Sequence, residues 1–126
     1  MRLLLDTVTF IWFIGSPQKL SSKATKALES TSVAVEISSI SISEIALKHS
    51  KGKLNLPKKN ILIAVERLKL RVLPYLAAHA YQFFELQTHH RDPFDRMIIS
   101  QALAERIPVV TSDDEFRKYP DLEVIW

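Results

Sequence analysis

Four acidic side chains stand where a strand has just ended or a helix has just begun. Asp6 closes the apolar run Leu3–Leu5, and Glu44 follows the β-branched run Val33–Ile37 at the start of a helical pattern. Asp95 lies in the first turn of a helix opened by Asp92-Pro93, and Asp113 and Asp114 follow the run Pro108–Thr111. Carboxylates brought together repel and raise one another's pKa unless a cation neutralises them. Hard divalent cations with oxygen ligands do so, and Mg²⁺ takes a few carboxylates while keeping its waters. Such a site activates water and polarises a phosphoryl oxygen, the requirements of phosphodiester hydrolysis. Each acid also has a structural reading. Ser41-Ile42-Ser43-Glu44 fits a capping box, Asp92 reads as a cap before a ligand, and the helix macrodipole favours first-turn acids by about 0.3–1 kcal/mol each. That field keeps Glu44 and Asp95 ionised, as metal binding requires. Asp6 is the hardest to explain structurally, because a carboxylate ending an apolar strand is costly to bury alone.

Other chemistries are excluded by what is missing. The chain has no cysteine, so thiolate metal sites, thiol nucleophiles and disulfides are out, and a reducing compartment suits it. Its two glycines, Gly15 and Gly52, cannot make a phosphate-cradling glycine loop. Neither H-E-x-x-H nor G-x-S-x-G occurs. Adjacent His89 and His90 point in different directions and read as a solvated loop, since oxygen sites suit Mg²⁺ better. His79 reads as a partly buried helical histidine and His49 as part of a basic face. Tyr81, Phe83 and Phe84 read as core, because a base-stacking surface needs exposed aromatics among basic residues.

The elements that must position the acids follow from periodicity. Leu3–Leu5 is a strand buried on both faces. Thr7 caps an almost wholly apolar helix through Ile14, a helix buried on several sides or lying at an interface. A polar helix spans Ser21–Glu29, and a strand Val33–Ile37. The helix opened at Ser41 is stopped by Gly52. Helices over Lys58–Leu70 and Ala77–Leu86 flank a strand at Arg71–Leu73. Asp92 caps the next helix with Pro93 in its first position, before a strand at Pro108–Thr111, a short helix at Asp114–Tyr119 and a strand at Glu123–Trp126. This alternation predicts an α/β fold, a central and mainly parallel sheet between two helical layers (α/β/α). All 126 residues are expected to form one domain, 1–126, being 47% hydrophobic and 25% charged. Right-handed crossovers put every strand's carboxyl end on one edge, where such folds bind ligands.

The net charge is only +3, yet Lys48, Lys51, Lys53, Lys58, Lys59, Arg67, Lys69 and Arg71 face a single acid, Glu66, within one segment. The rest of the chain is therefore net acidic. A solvated helical face is the plain reading of that segment and a polyanion-binding surface the sharper one. Arg2 and the apolar residues after it imitate a leader, but Asp6 interrupts the run and the stretch is too short to span a bilayer. A cytoplasmic protein without membrane contact is expected.

LLLDT at Leu3–Thr7, ISISEIALK at Ile40–Lys48, KGKLNLP at Lys51–Pro57, HRDPFDRMIISQA at His90–Ala102 and VVTSDDEF at Val109–Phe116 resemble the PIN-domain ribonucleases, in order and along the whole chain. Within that family the motifs look like those of the VapC-type toxins of bacterial toxin–antitoxin pairs. The resemblance implies a PIN-like domain and a metal-dependent endoribonuclease. It implies Asp6, Glu44, Asp95 and Asp113 as catalytic residues and ligands of Mg²⁺ or Mn²⁺, with Thr7 and Thr111 supporting the site. It also implies a homodimer and a cognate antitoxin protein. RNA contacts are expected from Lys48, Lys51, Lys53 and Arg96. The family often has His after Asp-Thr and Trp before the Glu, where this chain has Val8 and Ser43; neither change removes an acid. A PIN-like module that binds RNA or protein without cutting is the alternative, and a phosphoacceptor receiver ranks third because only Asp6 closes the first strand.

Overall fold

The computed structural model describes residues 1–126. Strand β1 (Arg2–Leu5) is the centre of the molecule. Leu3, Leu4 and Leu5 have no exposed surface, so the strand is apolar because both faces are covered. Helices α1 (Thr7–Gly15) and α2 (Ser22–Glu29) lead to β2 (Ala34–Ser38), and α3 (Ser39–Ser50) and α4 (Lys58–Arg67) lead to β3 (Arg71–Leu73). The chain then returns through α5 (Ala77–Phe84) and α6 (Pro93–Glu105) to β4 (Val109–Val110) and ends at β5 (Val124–Ile125). All strand pairs are parallel, in the order β3-β2-β1-β4-β5. The expected three-layer α/β/α fold is what forms.

Side-chain alternation divides the core. Leu3 and Leu5 join Phe10, Ala24, Leu28, Ile45 and Ile61 on one face. Leu4 joins Leu86, Ile98, Ile99, Ala102 and Phe116 on the other. The chain builds outward from β1 to β3, then reverses to β4 and β5. This places the topological switch between β1 and β4, with Leu5 opposite Val110, and such a switch opens a crevice at the carboxyl edge.

Several local expectations shift. Asp6, not Thr7, caps α1, its carboxylate accepting from the Thr9 N–H. The capping box at Ser41 does not form: Ser38 caps α3, accepting from the Ile40 N–H at 3.0 Å. Strand β2 runs straight into the helix, so the first serine of a serine-rich run takes the cap. Gly52 does stop α3, with φ +70°, while the Lys53 N–H bonds back to the Lys48 carbonyl at 2.9 Å. Helix α4 ends at Arg67 instead of Leu70, because Lys69 turns left-handed. The aromatic cluster is not core: Tyr81 and Phe84 are 71% and 86% exposed, and Phe83 lies half-buried under Arg96. His79, expected partly buried, is fully enclosed; its Nδ1 accepts from the Leu76 N–H and its Nε2 lies 3.1 Å from Glu105. No helix is long and apolar enough to cross a membrane.

Candidate active site

The four acids converge at the carboxyl edge beside the switch point. Asp6, buried at the end of β1, is held on both oxygens: Oδ1 accepts from the Thr9 N–H at 2.9 Å and Oδ2 from the Thr111 hydroxyl at 2.7 Å. Thr111 follows β4 and also accepts the Asp113 N–H at 3.0 Å, so one hydroxyl fixes acids from two strands. The Thr7 hydroxyl donates to Ser41 at 2.9 Å, tying the start of α1 to α3. Glu44, expected in the first turn of its helix, is buried in the second because α3 already starts at Ser39, and it meets Lys48 at 2.8 Å through Oε2. Its other oxygen is buried with no partner. Asp92 caps α6, accepting from the N–H groups of Phe94 and Asp95, which aims Asp95 at the others.

The electrostatics record the convergence. Burial raises the Asp6 carboxyl, its hydrogen bonds lower it, and Asp113 adds repulsion. The helix field does not keep Asp95 ionised as expected: burial, then the charges of Asp92 and Asp6, pushes it up to about 7, with Glu44 adding to the rise and His90 opposing it. The Lys48 ammonium is raised, first by Glu44 and further by Asp92 and Asp95. Lys48, though exposed, is therefore engaged with the acids, whereas Lys51, Lys53, Lys58 and Lys59 are exposed and form no ion pair. Arg96 lies over the Phe83 ring at 4.7 Å, with its Nε buried and unpartnered.

His90 is the residue that sequence reasoning misses. Far from lying in a solvated loop, its Nε2 is 3.0 Å from Asp113 Oδ2 and 3.1 Å from Asp95 Oδ2. His89 remains outside, exposed and bonded to Gln87. The available signal is local: a histidine two residues before a helix cap can accept the cap's N–H, as His90 Nδ1 does from Asp92 at 3.1 Å.

A model of the PIN domain matches residues 3–122. The chain belongs to the PIN-domain family. Among solved structures, its fold is similar to VapBC2 of Rickettsia felis bound to a DNA fragment from its promoter, at TM-score 0.77 and 24% identity over 98% of this chain and 97% of that one. DNA-bound VapBC of Salmonella typhimurium matches at 0.73 and 24% identity, covering 98% and 96%. VapBC-5 of Mycobacterium tuberculosis, from a family of toxin–antitoxin systems, matches at 0.64 and 20%, again covering 98% and 96%. No curated protein matches by sequence. These likenesses establish the PIN fold; the roles of individual acids rest on the site itself.

The donor set of this PIN domain fits a hard divalent cation. Its acids offer oxygen ligands, one of them a buried Glu44 oxygen without a hydrogen-bond donor. Ligand atoms of His90, Asp95 and Asp113 lie within 4.8 Å of one another. Crowded carboxylates that resist ionisation are what a cation relieves.

Proposed function

We propose that this PIN domain is a metal-dependent endoribonuclease and the toxin of a toxin–antitoxin pair. The observation carrying the reading is the meeting of Asp6, Glu44, Asp95 and Asp113 at one sheet edge, with a buried Glu44 oxygen lacking any donor. These four residues would hold Mg²⁺ or Mn²⁺. Bound there, the cation supplies Lewis-acid polarisation of a phosphoryl oxygen and makes a water more acidic. Asp6 keeps one fixed orientation because both its oxygens are bonded, so it serves as the rigid anchor of the site. Asp95, set among the other acids in the first turn of α6, is suited to orient the attacking water. Thr111 fixes the relative position of Asp6 and Asp113, and Thr7 that of α1 against α3.

An acidic site repels a polyanion, so substrate must be held by positive charge nearby. The exposed Lys51 and Lys53 and the Arg96 guanidinium are the residues assigned to that task. Lys48 contributes at the rim, where it already neutralises Glu44. The toxin reading draws on the VapBC complexes whose fold is shared. A homodimer and an antitoxin would cover the apolar surface left on α1 and α4, where Val8, Leu62 and Ile63 are 45%, 58% and 55% exposed.

The test is cleavage of total cellular RNA by purified protein with Mg²⁺ or Mn²⁺, with chelator, and with Asp6→Asn. Metal-dependent cleavage lost in the folded variant is expected. Undiminished cleavage by Asp6→Asn, or cleavage in chelator, overturns the reading.

A further inference from the structure

We propose that His90 is a positioning residue, whose Nε2–H holds Asp113 beside Asp95 so that both carboxylates can face one divalent cation while the imidazole itself is not a ligand. The proposal rests on the metal-site reading above.

The tautomer follows from the bonds. Nδ1 accepts the Asp92 N–H, so its lone pair is engaged and the proton resides on Nε2. That proton donates to Asp113 Oδ2 at 3.0 Å, and Asp95 Oδ2 faces the same nitrogen at 3.1 Å. Ligation through Nε2 would require the proton to move to Nδ1, directly against the Asp92 N–H. The Asp92 backbone cannot turn away freely, because its side chain caps α6 through Phe94 and Asp95. The ring is also fixed from behind. It packs nearly perpendicular to the Phe116 ring with centroids 5.7 Å apart, and the His90 N–H donates to the Tyr119 hydroxyl at 3.0 Å. Tyr119 in turn donates to the Gln87 carbonyl at 2.8 Å. With 12% of its side chain exposed, the imidazole sits as a wedge between α6 and the turn after β4. Without it no donor bridges the two carboxylates, which repel one another, and Asp113 keeps only the Glu115 N–H on its Oδ1.

Loss of a hydrogen-bond partner to a metal-ligating group typically costs 10–100-fold in metal affinity. Mn²⁺ titrations of the full chain, following free Mn²⁺ by electron paramagnetic resonance, read this directly. Wild type is compared with His90→Ala, His90→Gln and Asp95→Asn, each checked for folding by circular dichroism. We expect affinity to fall about tenfold or more in His90→Ala. His90→Gln, which keeps an N–H donor at similar reach, should recover most of it. Equal affinity in His90→Ala and wild type, with Asp95→Asn weakened, overturns the positioning role and leaves the metal site standing. Equal weakness in the Gln and Ala variants overturns it as well. Absence of Mn²⁺ binding by wild type overturns both readings. An electron spin echo spectrum of Mn²⁺ on the wild type decides independently of any variant: a directly bound imidazole nitrogen contradicts the proposal, and its absence supports it.

Discussion

Asp95 is the residue in which the site's internal conflict is concentrated. Its carboxyl is pushed up to about 7, first by burial and then by the charges of Asp92 and Asp6. In the unfolded chain it titrates near its ordinary value of about 4. Below that pH both states are protonated. As the pH rises towards 7 the unfolded chain gives up this proton first, so the contribution of Asp95 turns against folding across that window. In metal-free buffer Asp95→Asn should therefore stabilise the protein at pH 7–8 by about 1–3 kcal/mol, with no gain below about pH 4. Urea unfolding across a pH series measures the difference, and a destabilised variant at pH 8 would mean that Asp95 is well solvated. At this scale the acids were legible because strand ends and helix starts mark them. His90 was not, because a loop has no period and its partners come from β4 and α6, distant in sequence. Lys48 stands four residues after Glu44 on one helix, a spacing that predicts the observed pair.

The elements carry the acids because the sheet reverses direction of growth at β1. The alternation of apolar runs and helical patterns predicts that order of layers, and Asp92-Pro93 and Gly52 mark their helix ends where expected. The cap at Ser38 was hidden by the serines at 39, 41 and 43, any of which suits the role. The exposed α5 aromatics were hidden because a helix's apolar face does not say whether another layer covers it. A third feature invisible to periodicity holds the opposite end of the sheet. Glu36, buried in mid-strand, pairs in bidentate fashion with Arg2, which also reaches Glu105 at 3.0 Å. Removing the partly exposed Arg2 leaves the charge of buried Glu36 uncompensated, whereas replacing both partners by apolar groups is often neutral. Arg2→Ala should cost about 2–4 kcal/mol in urea unfolding. Arg2→Met with Glu36→Leu should recover most of that loss. A single variant as stable as wild type would show that water, rather than Arg2, satisfies Glu36.

Across the whole molecule, charge is divided between an acidic edge and the basic stretch Lys48–Arg71. Composition shows the division and the i,i+4 spacing pairs Lys48 with Glu44, while the fold brings the other acids near Lys48 and leaves Lys51, Lys53, Lys58 and Lys59 in solvent. Replacing those four exposed lysines with Gln should weaken binding of single-stranded RNA. It should also flatten the dependence of log affinity on log salt by about 0.7 for each phosphate that is no longer neutralised. Filter binding at several salt concentrations measures both, and an unchanged slope would reduce the segment to a solvated face. On the proposed function, four carboxylates crowded near the switch from β1 to β4 seat a divalent cation. Anomalous diffraction from crystals grown with Mn²⁺ tests it most directly. The structure predicts a manganese peak among Asp6, Glu44, Asp95 and Asp113. Crystals that take up manganese elsewhere and leave those four carboxylates without a peak would contradict it.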